Sequence, residues 1–237
     1  MKIDLISHSV PSMWSITEFM GVDEDATPVD TIPEFGGRAC YQSWSKPNPN
    51  TRKNEDYLAN IIAQGHESVL EHASATFYVQ GISRALTHEL IRHRHLSFSQ
   101  ISQRFVDGSS SEVVVPPAYR FKEDDSAPTR ELKREAQEEL YRTFTEVRDS
   151  YETLKSIGRE LGLSRKENRE AARSVIPNAS ETKIEVTGNM RAWRDVIKRR
   201  WHEAADAEIR EFAGEILGEL RRIAPATFQD IPEVPFS

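Results

Sequence analysis

The segment THELIRHRHLSFSQISQRF, residues 87–105, decides the interpretation of this chain. Four basic or potentially basic side chains stand in a row in it, at Arg92, His93, Arg94 and His95. Serines and a further arginine follow before the segment ends. Guanidinium groups bind phosphate through bidentate, charge-assisted hydrogen bonds, and serine hydroxyls add neutral donors. The segment therefore predicts a pocket for a phosphorylated ligand.

The basic run also has a simpler interpretation, because a cationic helix end complements the helix macrodipole without any ligand. Apolar residues at helical spacing predict a helix from about residue 82 to about residue 95: Ile82, Ala85, Leu86, Leu90 and Ile91. Since successive helical residues point about 100° apart, Arg92, His93 and Arg94 are expected to face different parts of one large ligand, or two neighbouring ligands. The serines and Arg104 that follow favour the ligand pocket.

The composition is that of an ordinary globular domain, with 237 residues, 38% apolar and 29% charged. A net charge of −7 argues against a non-specific nucleic-acid binder, which needs a positive surplus. The single cysteine, Cys40, excludes an internal disulfide and favours a reducing, cytoplasmic location. No apolar run has the length of a membrane span, and the opening MKIDLISHSV lacks a long apolar stretch and predicts a first strand.

Outside the basic segment, alternation of apolar and polar residues predicts strands at 72–80 and 181–187, and a valine run ended by prolines predicts a short strand at 113–117. Three- and four-residue apolar spacing predicts a long amphipathic helix over 128–161. A further helix is expected to begin at Ser164, with Glu167 completing a capping box.

Other predicted helices are shorter or less sharply bounded. One begins with Pro33 at its first turn and runs through Tyr41, after an acidic loop over 11–32. Another contains Leu58 and ends at Gly65. The last runs from about Met190 into the 220s.

Arg92-His93-Arg94, followed after seven residues by Ser102, resembles the RHR-x7-S signature of flavin-dependent thymidylate synthases. Four further segments are similar to other blocks of that family, in the same order: GHESVLEH (65–72), THELI (87–91), ARSVIP (172–177) and TGNMRAW (187–193). The resemblance covers roughly residues 33–228. It implies one α/β (α+β) domain over residues 1–237, with a central mixed sheet flanked by long helices.

The resemblance implies the reductive methylation of dUMP to dTMP. In this family 5,10-methylenetetrahydrofolate donates the one-carbon unit, and FAD reduced by NADPH supplies the hydride, without a cysteine nucleophile. Cys40 is accordingly interpreted as a small buried structural residue. The resemblance also implies a homotetramer whose active sites form between subunits.

The resemblance assigns roles residue by residue. The positions implied to bind FAD are Ser68, Arg92, His93, Arg94, Gln100, Asn189, Met190, Arg191 and Asp195. The positions implied to line the dUMP site are Glu89, Leu90, Ile91, Arg92, Gln100, Ile101, Ser102, Gln103, Arg104, Arg173 and Arg200. Arg200 aligns with the arginine thought to favour loss of the uracil N3 proton, and an always-charged guanidinium suits that role. Taken alone, Arg200 would be interpreted as a residue that ends a helix.

Three residues depart from the family pattern. Asp195 stands where close relatives commonly have His or Asn beside the flavin, Ala204 where a His is frequent, and Phe105 where a Tyr is frequent. A carboxylate near the isoalloxazine would disfavour an anionic reduced flavin, unless Asp195 pairs with Arg199 or Lys198. These departures concern flavin affinity and redox tuning more than substrate identity.

Two other function classes compete with the synthase. A non-enzymatic nucleotide- or RNA-binding module is disfavoured by the acidic balance and by the lack of aromatic stacking residues among the basic ones. A metal-dependent phosphohydrolase is disfavoured because His88 and His95 lie nearly two helical turns apart, with no acidic partner at ligand spacing. We therefore expect small-molecule substrates, no metal, no nucleic acid and no membrane partner.

Overall fold

The computed structural model describes the backbone of residues 1–237 and every side chain except that of Ser110. Its four strands are β1 (Lys2–His8), β2 (Ser74–Ser83), β3 (Leu96–Gln100) and β4 (Glu181–Asn189), which form one sheet in the order β1-β2-β4-β3. The sheet is antiparallel, whereas the resemblance implied a mixed one. Its register is visible in the Thr76–Thr187 hydroxyl contact of 2.9 Å and in the bond from Gly81 N–H to Glu181 Oε1 of 3.1 Å.

Helices supply most of the remaining structure, which confirms the predicted α/β (α+β) class. The α-helices are α1 (Met13–Thr17), α2 (Pro28–Tyr41), α3 (Asn54–Ala63), α4 (Arg84–Leu90), α5 (Ala127–Glu160), α6 (Arg165–Ala172), α7 (Met190–Arg200) and α8 (Ala207–Ile223). Short 3-10 helices lie at Pro49–Thr51, Glu67–His72, Gly108–Ser110, Pro117–Tyr119, Arg173–Val175 and Ala226–Phe228. Within the described residues, none of these helices has the length and apolar character needed to cross a membrane.

The elements with strong local signals are confirmed. The long helix α5 covers the predicted range within one residue at either end. At the start of α6, Ser164 Oγ accepts from Glu167 N–H at 3.3 Å and Glu167 Oε2 accepts from Ser164 N–H at 3.0 Å, which is the predicted capping box. Gly65, with φ of 70°, follows the end of α3 in a left-handed conformation that glycine adopts without strain.

The predicted helix over residues 82–95 was wrong at both ends. β2 continues to Ser83, and α4 ends at Leu90. Residues 91–95 form turns, and Leu96 N–H closes them by donating to His93 C=O at 3.3 Å. Residues 96–100, which alternate, then pair with β4 as strand β3. The sheet thereby satisfies the backbone N–H and C=O groups that a longer helix would have bonded internally.

Three other boundaries were also wrong. α2 begins at Pro28, because Thr27 accepts the N–H of Asp30 as an N-cap, so residues 11–32 are not all loop. The helix expected from Met190 into the 220s breaks at 201–206, where Asp206 caps α8. The strand predicted at 113–117 is reduced to one bridge, between Val113 and Ser180.

The chain divides into two compact units of interleaved segments. Unit 1 comprises residues 1–2, 79–90 and 99–184, and unit 2 comprises residues 3–78, 91–98 and 185–237. In unit 1, Tyr151 is buried and its hydroxyl accepts from Gly108 N–H at 3.1 Å. In unit 2, the Trp193 indole is fully buried, and its N–H donates to Ala75 C=O at 3.1 Å. One domain over 1–237 stays a prediction.

Gly188 in β4 is required by close packing. A β-carbon there would lie 2.3 Å from Leu96 Cδ2 and 3.2 Å from Trp193 Nε1, both in the buried core of unit 2. We expect Gly188→Ala to lower the free energy of unfolding by about 1–3 kcal/mol, measured by urea denaturation. The control is Gly218→Ala in α8, where a β-carbon meets open space and helix propensity improves. Equal stability of the two variants would contradict the packing argument.

Candidate functional site

His93 is the centre of a hydrogen-bonded cluster in unit 2. Its side chain is buried, whereas those of Arg92 and Arg94 are exposed. His93 Nδ1 lies 3.4 Å from Asp195 Oδ2, and Arg200 Nε lies 3.1 Å from His93 Nε2. Burial lowers the pKa of His93, and the hydrogen bond to Asp195 offsets that effect only in part. The lowered pKa favours the neutral form of the ring.

Asp195 and Arg200 are placed by α7. Asp195 also accepts from Arg199 Nε, at 2.8 Å, on the same helix. Burial alone would raise the pKa of Asp195, but the hydrogen bond and charge of Arg199 and the hydrogen bond from His93 outweigh it and lower that pKa. Lys198 pairs instead with Glu67 at 2.8 Å. Of the two partners expected to neutralise Asp195, the structure selects Arg199.

Two adjoining cavities open onto this cluster. The first, of about 220 Å³, is lined by Arg92, His93, Arg94, His95, Asp195, Arg199 and Arg200. The second, of about 360 Å³, is lined by Glu71, His95, Asn189, Arg191, Ala192, Asp195 and Arg199. They share His95, Asp195 and Arg199. Asn189 Oδ1 accepts from Ala192 N–H at 2.8 Å and thereby caps α7 at the edge of the second cavity.

The donor set of these cavities fits a flavin dinucleotide. The pyrophosphate of FAD carries two negative charges, and five guanidiniums line the cavities, at Arg92, Arg94, Arg191, Arg199 and Arg200. Arg191 is also paired with Glu71 at 2.5 Å, which holds its side chain at the cavity wall. The second cavity lies within the range of about 300–1,000 Å³ that is typical of small-molecule sites.

Three residues assigned to FAD by the resemblance lie away from the cavity walls. Met190 is fully buried, and its N–H donates to Ala73 C=O at 2.9 Å. Ser68 is exposed in the 3-10 helix Glu67–His72 and lines neither cavity. Gln100 belongs to unit 1, where its amide nitrogen donates to the hydroxyls of Thr87 and Thr182 at 3.2 and 3.1 Å.

The residues assigned to dUMP belong mostly to unit 1. A cavity of about 190 Å³ there is lined by Arg84, Ile101, Gln103, Val106, Asp107, Gly108, Ser111, Glu181, Thr182 and Lys183. Ile101 and Gln103 are therefore brought to one cavity. The remaining assigned residues of unit 1 are outside its lining: Glu89, Leu90, Gln100, Ser102, Arg104 and Arg173. Leu90 is fully buried, whereas Ile91, Arg92 and Arg200 belong to unit 2.

Arg84 is the residue that sequence reasoning missed. It is half-buried at the cavity wall, and its Nη1 is buried without a hydrogen-bond partner among the described residues. Burial lowers the pKa of Arg84, and the like charge of Arg173 lowers it further. Two guanidiniums near each other, one of them with an unsatisfied donor, indicate an anion site. The feature that could have indicated Arg84 is its place at the first position of α4. A cation is disfavoured at that end of a helix by the macrodipole.

The other residues singled out in the sequence have simple positions. Cys40 is exposed, so its interpretation as a buried residue was wrong; it lies in the last turn of α2, on the outer side. Ala204 lies in the turn between α7 and α8, with its N–H donating to His202 Nδ1 at 3.1 Å. Phe105 is exposed, with Arg104 and Lys166 each 5.8 Å from its ring.

Among the described side chains, no three His, Cys, Asp or Glu residues are grouped as metal ligands.

Comparisons with known proteins found a matching family model and several similar curated proteins. The family of thymidylate synthase complementing proteins matches residues 24–226. A probable flavin-dependent thymidylate synthase of Mycobacterium phage D29 is 51% identical over 240 residues, which is 100% of this chain and 99% of the relative. The flavin-dependent thymidylate synthase of Mycobacterium tuberculosis is 52% identical over 208 residues, 88% of this chain and 81% of the relative.

Proposed function

The chain belongs to the flavin-dependent thymidylate synthase family, and we propose that it makes dTMP by reductive methylation of dUMP, with 5,10-methylenetetrahydrofolate, FAD and NADPH. The observation that supports this most is the meeting of the RHR triplet with Arg200 at one cavity of unit 2. Cys40 is exposed and lines none of the cavities described above, which fits chemistry without a cysteine nucleophile.

We assign the two cavities around His93 to the flavin. When bound, FAD supplies the hydride that reduces the transferred one-carbon unit to a methyl group. Arg92, Arg94, Arg191 and Arg199 would hold its phosphates, and Asn189 fixes the start of α7 beside them. Because Asp195 is ion-paired with Arg199, its carboxylate would not place an uncompensated negative charge beside a reduced flavin.

We assign the nucleotide phosphate to Arg84 and Arg173, assisted by the polar residues Ser102, Gln103 and Arg104. The unsatisfied Arg84 nitrogen and the like-charge pair support an anion here, because a phosphate dianion relieves both. The resemblance separately assigns Arg200, in unit 2, to uracil activation, where its fixed positive charge would stabilise the anion left when the N3 proton is lost.

The exposed face of α5 supports an oligomer, which we propose to be a homotetramer with shared active sites. Among its described residues, α5 buries only Phe144, Tyr151 and Gly158, which lie seven positions apart. Several large apolar side chains elsewhere on this helix are exposed: Leu132, Tyr141, Leu154 and Ile157. Leu161, the C-cap residue at its end, is exposed as well. Light scattering after size exclusion should give four chain masses, and a monomer would contradict the proposal.

We also propose a cytoplasmic location, which the single cysteine of the chain supports.

The flavin assignment is tested by adding FAD to the purified protein and recording the visible spectrum. We expect a yellow complex whose flavin fluorescence changes on binding. Arg94→Ala should weaken FAD binding about tenfold or more, because it removes a charge-assisted contact. The matched control is Arg134→Ala on α5, where the arginine is exposed and pairs only with neighbouring glutamates. A colourless protein that takes up no FAD would overturn the proposed function.

A further inference from the structure

The contact between Arg200 and His93 indicates which ring nitrogen of His93 carries the proton. A guanidinium has only donors, so Arg200 Nε can approach His93 Nε2 at 3.1 Å only if that nitrogen offers a lone pair. A neutral imidazole with an unprotonated Nε2 carries its proton on Nδ1. That nitrogen faces Asp195 Oδ2 at 3.4 Å, which is an acceptor.

We propose that Asp195 is a positioning residue, which holds His93 in the Nδ1–H tautomer so that its Nε2 anchors the guanidinium of Arg200. Asp195 thus acts on the uracil-activating arginine through His93 and need not touch the nucleotide. The inference rests on the proposed function for the role of Arg200. Asp195 is one of the departures from the family pattern, and this inference gives it a role other than contact with the flavin.

The alternative tautomer shows what Asp195 prevents. If the proton moved to Nε2, it would point at the N–H of Arg200, and two donors would face each other. Arg200 Nε–H would then lose its acceptor, His93 Nε2, and the guanidinium would lose the contact that orients it. The tautomer of a histidine is set by the hydrogen bond of its other nitrogen, and a carboxylate is the usual partner for an N–H at Nδ1.

The charges around His93 favour this arrangement. From α7, Arg199 keeps Asp195 ionised through their 2.8 Å contact, and Arg200 disfavours a second positive charge on the ring. From the turn that carries His93, Arg92 and Arg94 add positive charge at the same cavity, beside His95. A neutral His93 between a carboxylate and a guanidinium is therefore the stable state.

The first test reads the tautomer directly, by nitrogen NMR of histidine-labelled protein without flavin or nucleotide. The His93→Gln variant identifies the His93 signals among the seven histidines. We expect Nδ1–H in the unaltered protein and in Asp195→Asn, whose amide oxygen still accepts. In Asp195→Ala we expect Nε2–H or a mixture. An Nε2–H tautomer in the unaltered protein, or no change in Asp195→Ala, would overturn the proposal.

The second test measures kinetics with saturating FAD. Asp195→Ala should lower kcat about tenfold with FAD affinity changed less than about threefold, and Asp195→Asn should recover most of the rate. Lys198→Ala, on the same helix but paired with Glu67, should behave like the unaltered protein. Full activity of Asp195→Ala would reject the positioning role alone, whereas an unaltered protein that forms no dTMP would reject the proposed function itself.

Discussion

Replacing Arg200 by alanine is expected to lower kcat for dTMP formation by about 10²- to 10³-fold, while FAD remains bound. The reason is its position: Arg200 ends α7, and its Nε is held by the buried His93, which fixes the direction of a permanently charged group. Losing that charge removes the stabilisation of negative charge on uracil, but it leaves the four arginines assigned to the flavin phosphates. Steady-state kinetics and a flavin titration measure the two effects separately.

Arg200→Lys is the matched variant for this prediction. It keeps the positive charge but lacks the Nε that contacts His93, so it should recover little of the rate. Release of the flavin from Arg200→Ala would mean that Arg200 holds the cofactor rather than activating the nucleotide. Full recovery by lysine would mean that charge alone matters, without the His93 contact.

Replacing Arg84 by methionine is expected to raise the Kd for dUMP about 10- to 100-fold, the size of one charge-assisted phosphate contact. Methionine keeps much of the side-chain volume. The variant should not lose stability, because it removes a buried unsatisfied nitrogen and the repulsion with Arg173. Calorimetric titration gives the affinity, and urea denaturation gives the free energy of unfolding.

Deoxyuridine, which lacks the phosphate, is the control ligand for Arg84. Its weaker affinity should be the same for Arg84→Met and for the unaltered protein. If both ligands lose affinity equally, Arg84 contacts the base or sugar, or shapes the cavity, and the assignment of the phosphate is wrong.

Elements with strong local signals could be predicted from the sequence, whereas β3 could not. α5 has apolar steps over many turns, and α6 has both halves of a capping box, so neither depends on distant residues. The segment Leu96–Gln100 follows a basic run that suits a helix end, and its strand conformation is stabilised by pairing with β4, more than 80 residues later. Tertiary pairing of this kind overrides a local helical pattern.

The candidate site shows the same division between local and long-range information. The RHR triplet and Arg200 were found from the sequence by their family pattern. The contacts that give them a physical role, His93 with Asp195 and with Arg200, join residues 102 and 107 positions apart. No motif predicts such pairs, since they arise from the packing of α7. Arg84 was missed because its significance depends on burial and on the nearby Arg173.

The most direct test of the central claim is tritium release from dUMP labelled at C5, because methylation replaces the hydrogen at that carbon. With FAD, NADPH and 5,10-methylenetetrahydrofolate present, we expect release to water together with dTMP formation. Omitting NADPH or FAD should prevent dTMP formation, and Cys40→Ser should leave the rate unchanged. A FAD-bound protein that releases no tritium under these conditions would contradict the account.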